Sequence, residues 1–144
     1  MKNIRYLILI LLTFASCATF NGSYDLGANL YLLEGDRIED RIIVYCTKKD
    51  NEYCNGGTYV IPISYDDHMK KGKYSQYVLE AKSDENGIIA KTFKIKENKI
   101  FFWIINLKEK GDNVYGPLSY KTFLEKKQRF KIDLSFNNTS APAP

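Results

Sequence analysis

Three cysteines, one histidine and a cluster of carboxylates have enough chemical range to suggest function, and their spacing limits what they can do. Cys17 follows Lys2 and Arg5, an apolar run from Tyr6 to Leu12, and the small residues Ala15 and Ser16, which is the order of an export leader. Cys46 and Cys54 flank a polar stretch of seven residues between two strand-like segments. A hairpin disulfide is expected there, with two unpaired thiols as the alternative, and closing so short a loop contributes about 2–3 kcal/mol. His68 stands beside Asp66 and Asp67, a spacing that does not enclose an ion, so no metal site is expected and the ring reads as a solvated loop histidine. A Ser–His–Asp triad would have to use this same histidine without any nucleophile-elbow motif. Glu34, Asp36, Glu39 and Asp40 surround Gly35, where a carboxylate pair could act as acid and base or hold calcium. Arg37 and Arg41 interleave with them and make a charged turn the better reading. Glycine-rich phosphate loops and Cys-x-x-Cys pairs are absent from the chain, so no catalytic residue is assigned and no cofactor is expected.

The segment Phe14 to Cys17 resembles the lipobox of bacterial lipoproteins, in which a cysteine after small residues is lipidated and becomes the first residue of the mature chain. Phe14 stands where that pattern usually has an aliphatic residue. The resemblance implies a signal peptide over residues 1–16, removed on export, and a membrane partner reached through lipid on Cys17. The apolar run is shorter than the roughly 20 residues that a spanning helix needs, which favours cleavage over an uncleaved anchor. No acidic residue follows Cys17, since position 18 is Ala18, and an outer membrane is the preferred location where the cell has one.

The elements that must position these residues read as mainly β. Eleven Tyr and eight Phe among 144 residues lean toward strands. Without Lys2 and Arg5 the chain has 19 basic against 17 acidic residues, interspersed as in Lys91 to Lys99, so no nucleic-acid partner is expected and these lysines read as solvated strand faces. Extended pieces are expected near 18–33, 41–46, 58–64, 74–82, 88–95 and 100–107, with Pro62 at an edge or bulge and Asn86-Gly87 as a hairpin turn. Residues 65–74 read as a loop with at most one helical turn. The run Ile100 to Leu107 is the most apolar, so Phe101, Phe102 and Trp103 belong to the core rather than to a stacking platform. Ser119 caps one C-terminal helix carrying Phe123 and Leu124, and Lys131 to Phe136 could add a final strand. The expectation is a mainly β (α+β) domain over residues 17–136: a single antiparallel, curled β-sheet of about 6–7 strands with one short helix packed on it. Residues 137–144 read as a disordered tail.

Three blocks, Tyr24 to Asp36, Ile88 to Thr92 and Phe102 to Ile132, resemble the uncharacterised bacterial lipoprotein family catalogued as domain of unknown function 3997. Gly116-Pro117-Leu118, with Phe123 and Leu124 after it, is the most distinctive piece. The stretch from Cys46 to Tyr74 departs from that pattern and reads as an insertion with its own cysteine pair. The resemblance implies location and fold and carries over no site.

The functional expectation is a lipid-anchored, non-enzymatic binding module of the cell envelope, contacting an envelope protein or ligand through residues 47–57 and 65–74. The alternatives are a small hydrolase of envelope polymers using Asp66, Asp67, Glu34 or Asp36, and an inhibitor or immunity lipoprotein.

Overall fold

The computed structural model describes residues 22–137; the leader, Cys17 and positions from 138 onward lie outside the described residues. The chain first forms an antiparallel meander of β1 (Gly22–Gly27), β2 (Leu30–Glu34), β3 (Ile42–Asp50) and β4 (Tyr53–Ile61). A second meander consists of β7 (Gln76–Ser83), β8 (Gly87–Lys94), β9 (Lys99–Asn106) and β10 (Val114–Leu118). Between them lie a one-turn helix α1 (Tyr65–His68) and the two-residue strands β5 (Met69–Lys70) and β6 (Lys73–Tyr74). Helix α2 (Tyr120–Arg129) follows β10.

The expected single curled sheet is therefore corrected: each meander closes its own four-stranded sheet, and β5–β6 make a third, two-stranded one. The physical reason lies in the side-chain period of two. Ile43 and Ile61 of the first sheet and Val78, Ile88, Ala90, Trp103 and Ile105 of the second share one apolar cluster. The two sheets thus bury these faces against each other. The opposite face of the second sheet carries Ile89 and Ile104, which meet Phe123 of α2 and Ile132 beyond it. Sheet, sheet and helix form three layers, which is how a strand as apolar as β9 is covered on both faces.

Polar groups inside the sandwich are satisfied. The Thr92 hydroxyl oxygen accepts hydrogen bonds from Gln76 Nε2 at 2.8 Å and Trp103 Nε1 at 2.9 Å, tying β7, β8 and β9 at one buried point. Burying the indole would otherwise strand its N–H, a cost of about 1–3 kcal/mol.

Two glycines act by close approach. A Cβ on Gly116 would meet Trp103 Cε3 at 2.3 Å, so the Gly-Pro-Leu piece, an irregularity in the β9–β10 register at the end of β10, seats the indole. A Cβ on Gly87 would meet Ile132 Cδ1 at 2.5 Å. Gly87 is the first residue of β8, and the preceding turn is organised by Asp84, whose carboxylate accepts from the N–H groups of Asn86 and Gly87.

Residues 131–136 are not a strand. They form an irregular strap, held where Lys127 Nζ donates to Leu134 O at 2.5 Å. Asn137, expected in a disordered tail, donates its N–H to Glu80 Oε1 at 2.8 Å and accepts from Lys82 Nζ at 2.6 Å.

Candidate functional site

The residues singled out from the sequence take separate structural positions. Cys17 lies outside the described residues. Cys46 and Cys54 form a disulfide that staples β3 to β4. The stretch between them, expected as a loop, is mostly zipped into the β3–β4 ladder, because Lys48, Lys49 and Asp50 pair back onto Gly56, Cys54 and Tyr53. At its tip, Lys49 and Tyr53 help line a polar groove with Asp25 and Tyr31.

His68 is not solvated. It is 5% exposed, its Nδ1 lies 2.9 Å from Gln76 O, and the rings of Tyr59 and Tyr74 flank it at 6.1 and 5.6 Å. The reason is the α1 turn: Ser64 caps it by accepting from Asp67 N–H at 3.1 Å, and the last helical position turns inward. Tyr74 in turn donates to Asp40. Burial alone would push the Asp40 carboxyl up, but the Tyr74 hydroxyl, the Arg37 N–H and the charge of Arg37 outweigh it and hold the group below its usual range.

The carboxylates do not converge. Asp67 accepts from the Ser64 hydroxyl, Asp40 is bound to Tyr74 and to Arg37 N–H, and Glu34 makes an ion pair of 2.7 Å with Arg41 Nε. Among the described residues no group of three or more His, Cys, Asp or Glu is placed to hold a metal ion.

Of the four carboxylates considered for hydrolysis, Glu34 alone borders the main inter-sheet cleft. This cleft, about 490 Å³, opens along one side of the sandwich between β1, β2 and β7. Leu26, Leu32, Leu79 and Ala81 form its apolar floor, and Tyr24, 55% exposed, stands on its rim. Arg41 closes one end and joins the sheets: its Nη1 donates to Leu79 O at 3.2 Å, while its carbonyl accepts from Val78 N–H at 2.9 Å. The cleft borders on Glu80 and Lys82, so acids and bases occur in equal number among its charged residues.

Beyond Glu80 lies a group that sequence reading misplaced. Lys91, expected on a solvated face, is 4% exposed, and its ammonium sits 2.9 Å from Glu80 Oε2 and 5.1 Å from the ring centre of Phe136. Glu80 and Lys91 are direct cross-strand partners. Burial pushes the Glu80 carboxyl up; the Asn137 N–H and the charges of Lys91 and Lys82 more than reverse this and hold it below its usual range. The signal was legible in principle, since Lys91 falls between Ile89 and Phe93 on one strand face.

On the far side of this ion pair, under α2, is a smaller pocket of about 180 Å³. Phe102, Phe123 and Phe136 line it with Leu134, and Tyr120 and Leu124 stand at its mouth, 50% and 41% exposed. Leu134 borders both cavities, so the strap is their common wall.

The comparisons match this chain at the level of family alone. No curated protein and no solved structure matches it. A family model described as protein of unknown function (DUF3997) matches residues 35–140. The match spans Cys46 to Tyr74 and begins at Gly35, leaving most of the first resembling block outside it. Strands β3 to β10, helix α2 and the strap all fall within the matched stretch, and on that ground the chain belongs to the DUF3997 family.

Proposed function

We propose that the protein is exported, cleaved after Ser16 and lipidated on Cys17, and that it serves as a non-enzymatic binding module of the cell envelope whose ligand or partner occupies the cleft between the two sheets. The cleft carries this reading. Its volume of about 490 Å³ falls in the roughly 300–1,000 Å³ range of ligand sites, with an apolar floor bordered by charged side chains that can fix a ligand's orientation. The disulfide between Cys46 and Cys54 suits an oxidising compartment. Six residues lie between Cys17 and Tyr24 on the cleft rim, at most about 25 Å of extended chain, so the rim stays within reach of a bilayer holding the lipid. Such tethering raises effective concentration toward other membrane-held molecules, which lets weak contacts suffice.

Metabolic labelling with a palmitate analogue tests the anchor, and a photo-crosslinking residue at Tyr24 tests the cleft. The wild-type chain should take up label that a Cys17→Ala variant does not. The Tyr24 adduct formed in intact membranes should disappear when Ser83→Trp, at an exposed position lining the cleft, fills it. An unlabelled wild-type chain overturns the anchor, and an adduct indifferent to Ser83→Trp overturns the cleft.

A further inference from the structure

We propose that the pocket under α2 is a second binding site, selective for a compact aryl carboxylate whose ring lies among Phe102, Phe123 and Phe136 and whose carboxylate is received by Lys127. The site is walled off from the inter-sheet cleft by Leu134 and the Glu80–Lys91 ion pair, so it stands or falls independently of the function proposed above.

Size comes first. A cavity of about 150 Å³ lined by apolar side chains takes up benzene, and this pocket, at about 180 Å³, has room for one ring with a short acidic substituent and little more. Shape agrees. Phe102 packs on Phe123 at 5.2 Å and on Phe136 at 6.0 Å, with planes tilted by 32° and 44°, so the three rings form a continuous aromatic wall against which one further ring can lie.

Charge then selects the ligand. Among the described residues, those lining the pocket include two lysines, Lys91 and Lys127, and no carboxylate. The inter-sheet cleft has two acids and two bases, and there Glu34 is already paired with Arg41. At the floor of the pocket Lys91 is matched by Glu80 at 2.9 Å, so the ligand's carboxylate is left to Lys127. Lys127 donates one proton to Leu134 O, and an ammonium has three, which leaves donors for a carboxylate at the mouth. A cationic ligand would meet the Lys127 ammonium in a partly desolvated site, and a long acyl chain would outgrow the volume.

The full-length protein is titrated with benzoate and phenylacetate while the methyl resonances of Leu124 and Leu134 are followed against those of Leu26 and Leu32 in the cleft. Binding at about 10 mM or tighter is expected for an acid of this size, with shifts at Leu124 and Leu134 and none at Leu26 or Leu32. Lys127→Gln keeps a donor for Leu134 O but loses the charge, and should weaken the acids at least about tenfold. Benzyl alcohol should be weakened to a similar degree against wild type, and benzylamine should not bind. A tripeptide Gly-Gly-Phe separates the two sources of this chemistry: preference for it marks a polypeptide C-terminus, preference for phenylacetate a free acid. Silence toward every acid, equal response to benzylamine, or unchanged affinity in Lys127→Gln in a variant that melts like wild type overturns the proposal.

Discussion

The two faces of the second sheet are buried by different means. Toward the first sheet it presents Val78, Ile88 and Ala90, each fully buried among branched aliphatic side chains. Toward α2 and the strap, Ile89 and Ile104 are joined by Phe102, Phe123 and Phe136, with the Lys91 ammonium among the rings. Branched aliphatic groups interdigitate at close to crystal density. Flat rings carried by a ten-residue helix and an irregular strap meet at tilted angles, and a pocket remains between them. One face makes the domain stable, and the other trades packing for space.

The sharpest way to break this comparison is to truncate one residue on each face. Ile88→Ala should cost about 2–5 kcal/mol in urea unfolding, because the fully buried side chain has no route for collapse around it. Phe136→Ala removes a larger side chain yet should cost less than Ile88→Ala, since Phe136 is only half-buried and already borders empty space. Equal losses would mean that the aromatic face is packed core and the pocket closes in solution.

Next in size is the ion pair that divides the two cavities. Glu80→Gln leaves the Lys91 ammonium without its carboxylate and should cost about 2–3 kcal/mol near neutral pH. The sign with pH follows from a folded-state pKa held below the unfolded one. The stabilisation is complete above the usual carboxylate range and is lost as pH falls through the depressed value. Wild type should therefore lose more stability than Glu80→Gln on acidification, while Asp40, likewise depressed, keeps a residual acid dependence in both. Parallel pH curves would remove Glu80 from the latch between strap and sheet.

Most strands could be read from the sequence, and the pairing of sheets could not. The runs from Ile42, Ile88 and Ile100 announce β-structure by composition, and Ser119 announces α2, whose N-cap it is. A continuous apolar run says that both faces are covered without saying by what, so two stacked meanders and one curled sheet look alike at that level. The candidate site suffered more. His68 and Lys91 were read as solvated because polarity was judged from neighbours in the chain, whereas their burial depends on Tyr59 and Tyr74 for one and on Glu80 and Phe136 for the other. Only the position of Lys91 between Ile89 and Phe93 on one strand face gave local warning.

The smallest effect is also the finest test of whether the two faces act separately. Ser119 Oγ accepts from Thr122 N–H at 3.3 Å and caps the helix that roofs the aromatic face. Ser119→Ala should cost about 1 kcal/mol. Loss of the cap loosens the first turn of α2, which carries Phe123, and so acts on the rings around the pocket. Ile88 points away from that layer, into the cluster shared by the two sheets. Combined with Ile88→Ala, the cap mutation should therefore add to within about 0.5 kcal/mol, as independent sites do. Combined with Phe136→Ala it should fall short of additivity by at least about 0.5 kcal/mol, because Phe123 and Phe136 stack at 5.7 Å and loosening either already forfeits part of the contact. The reverse pattern, coupling to Ile88 and independence from Phe136, would show that the helix supports the sandwich and not the pocket.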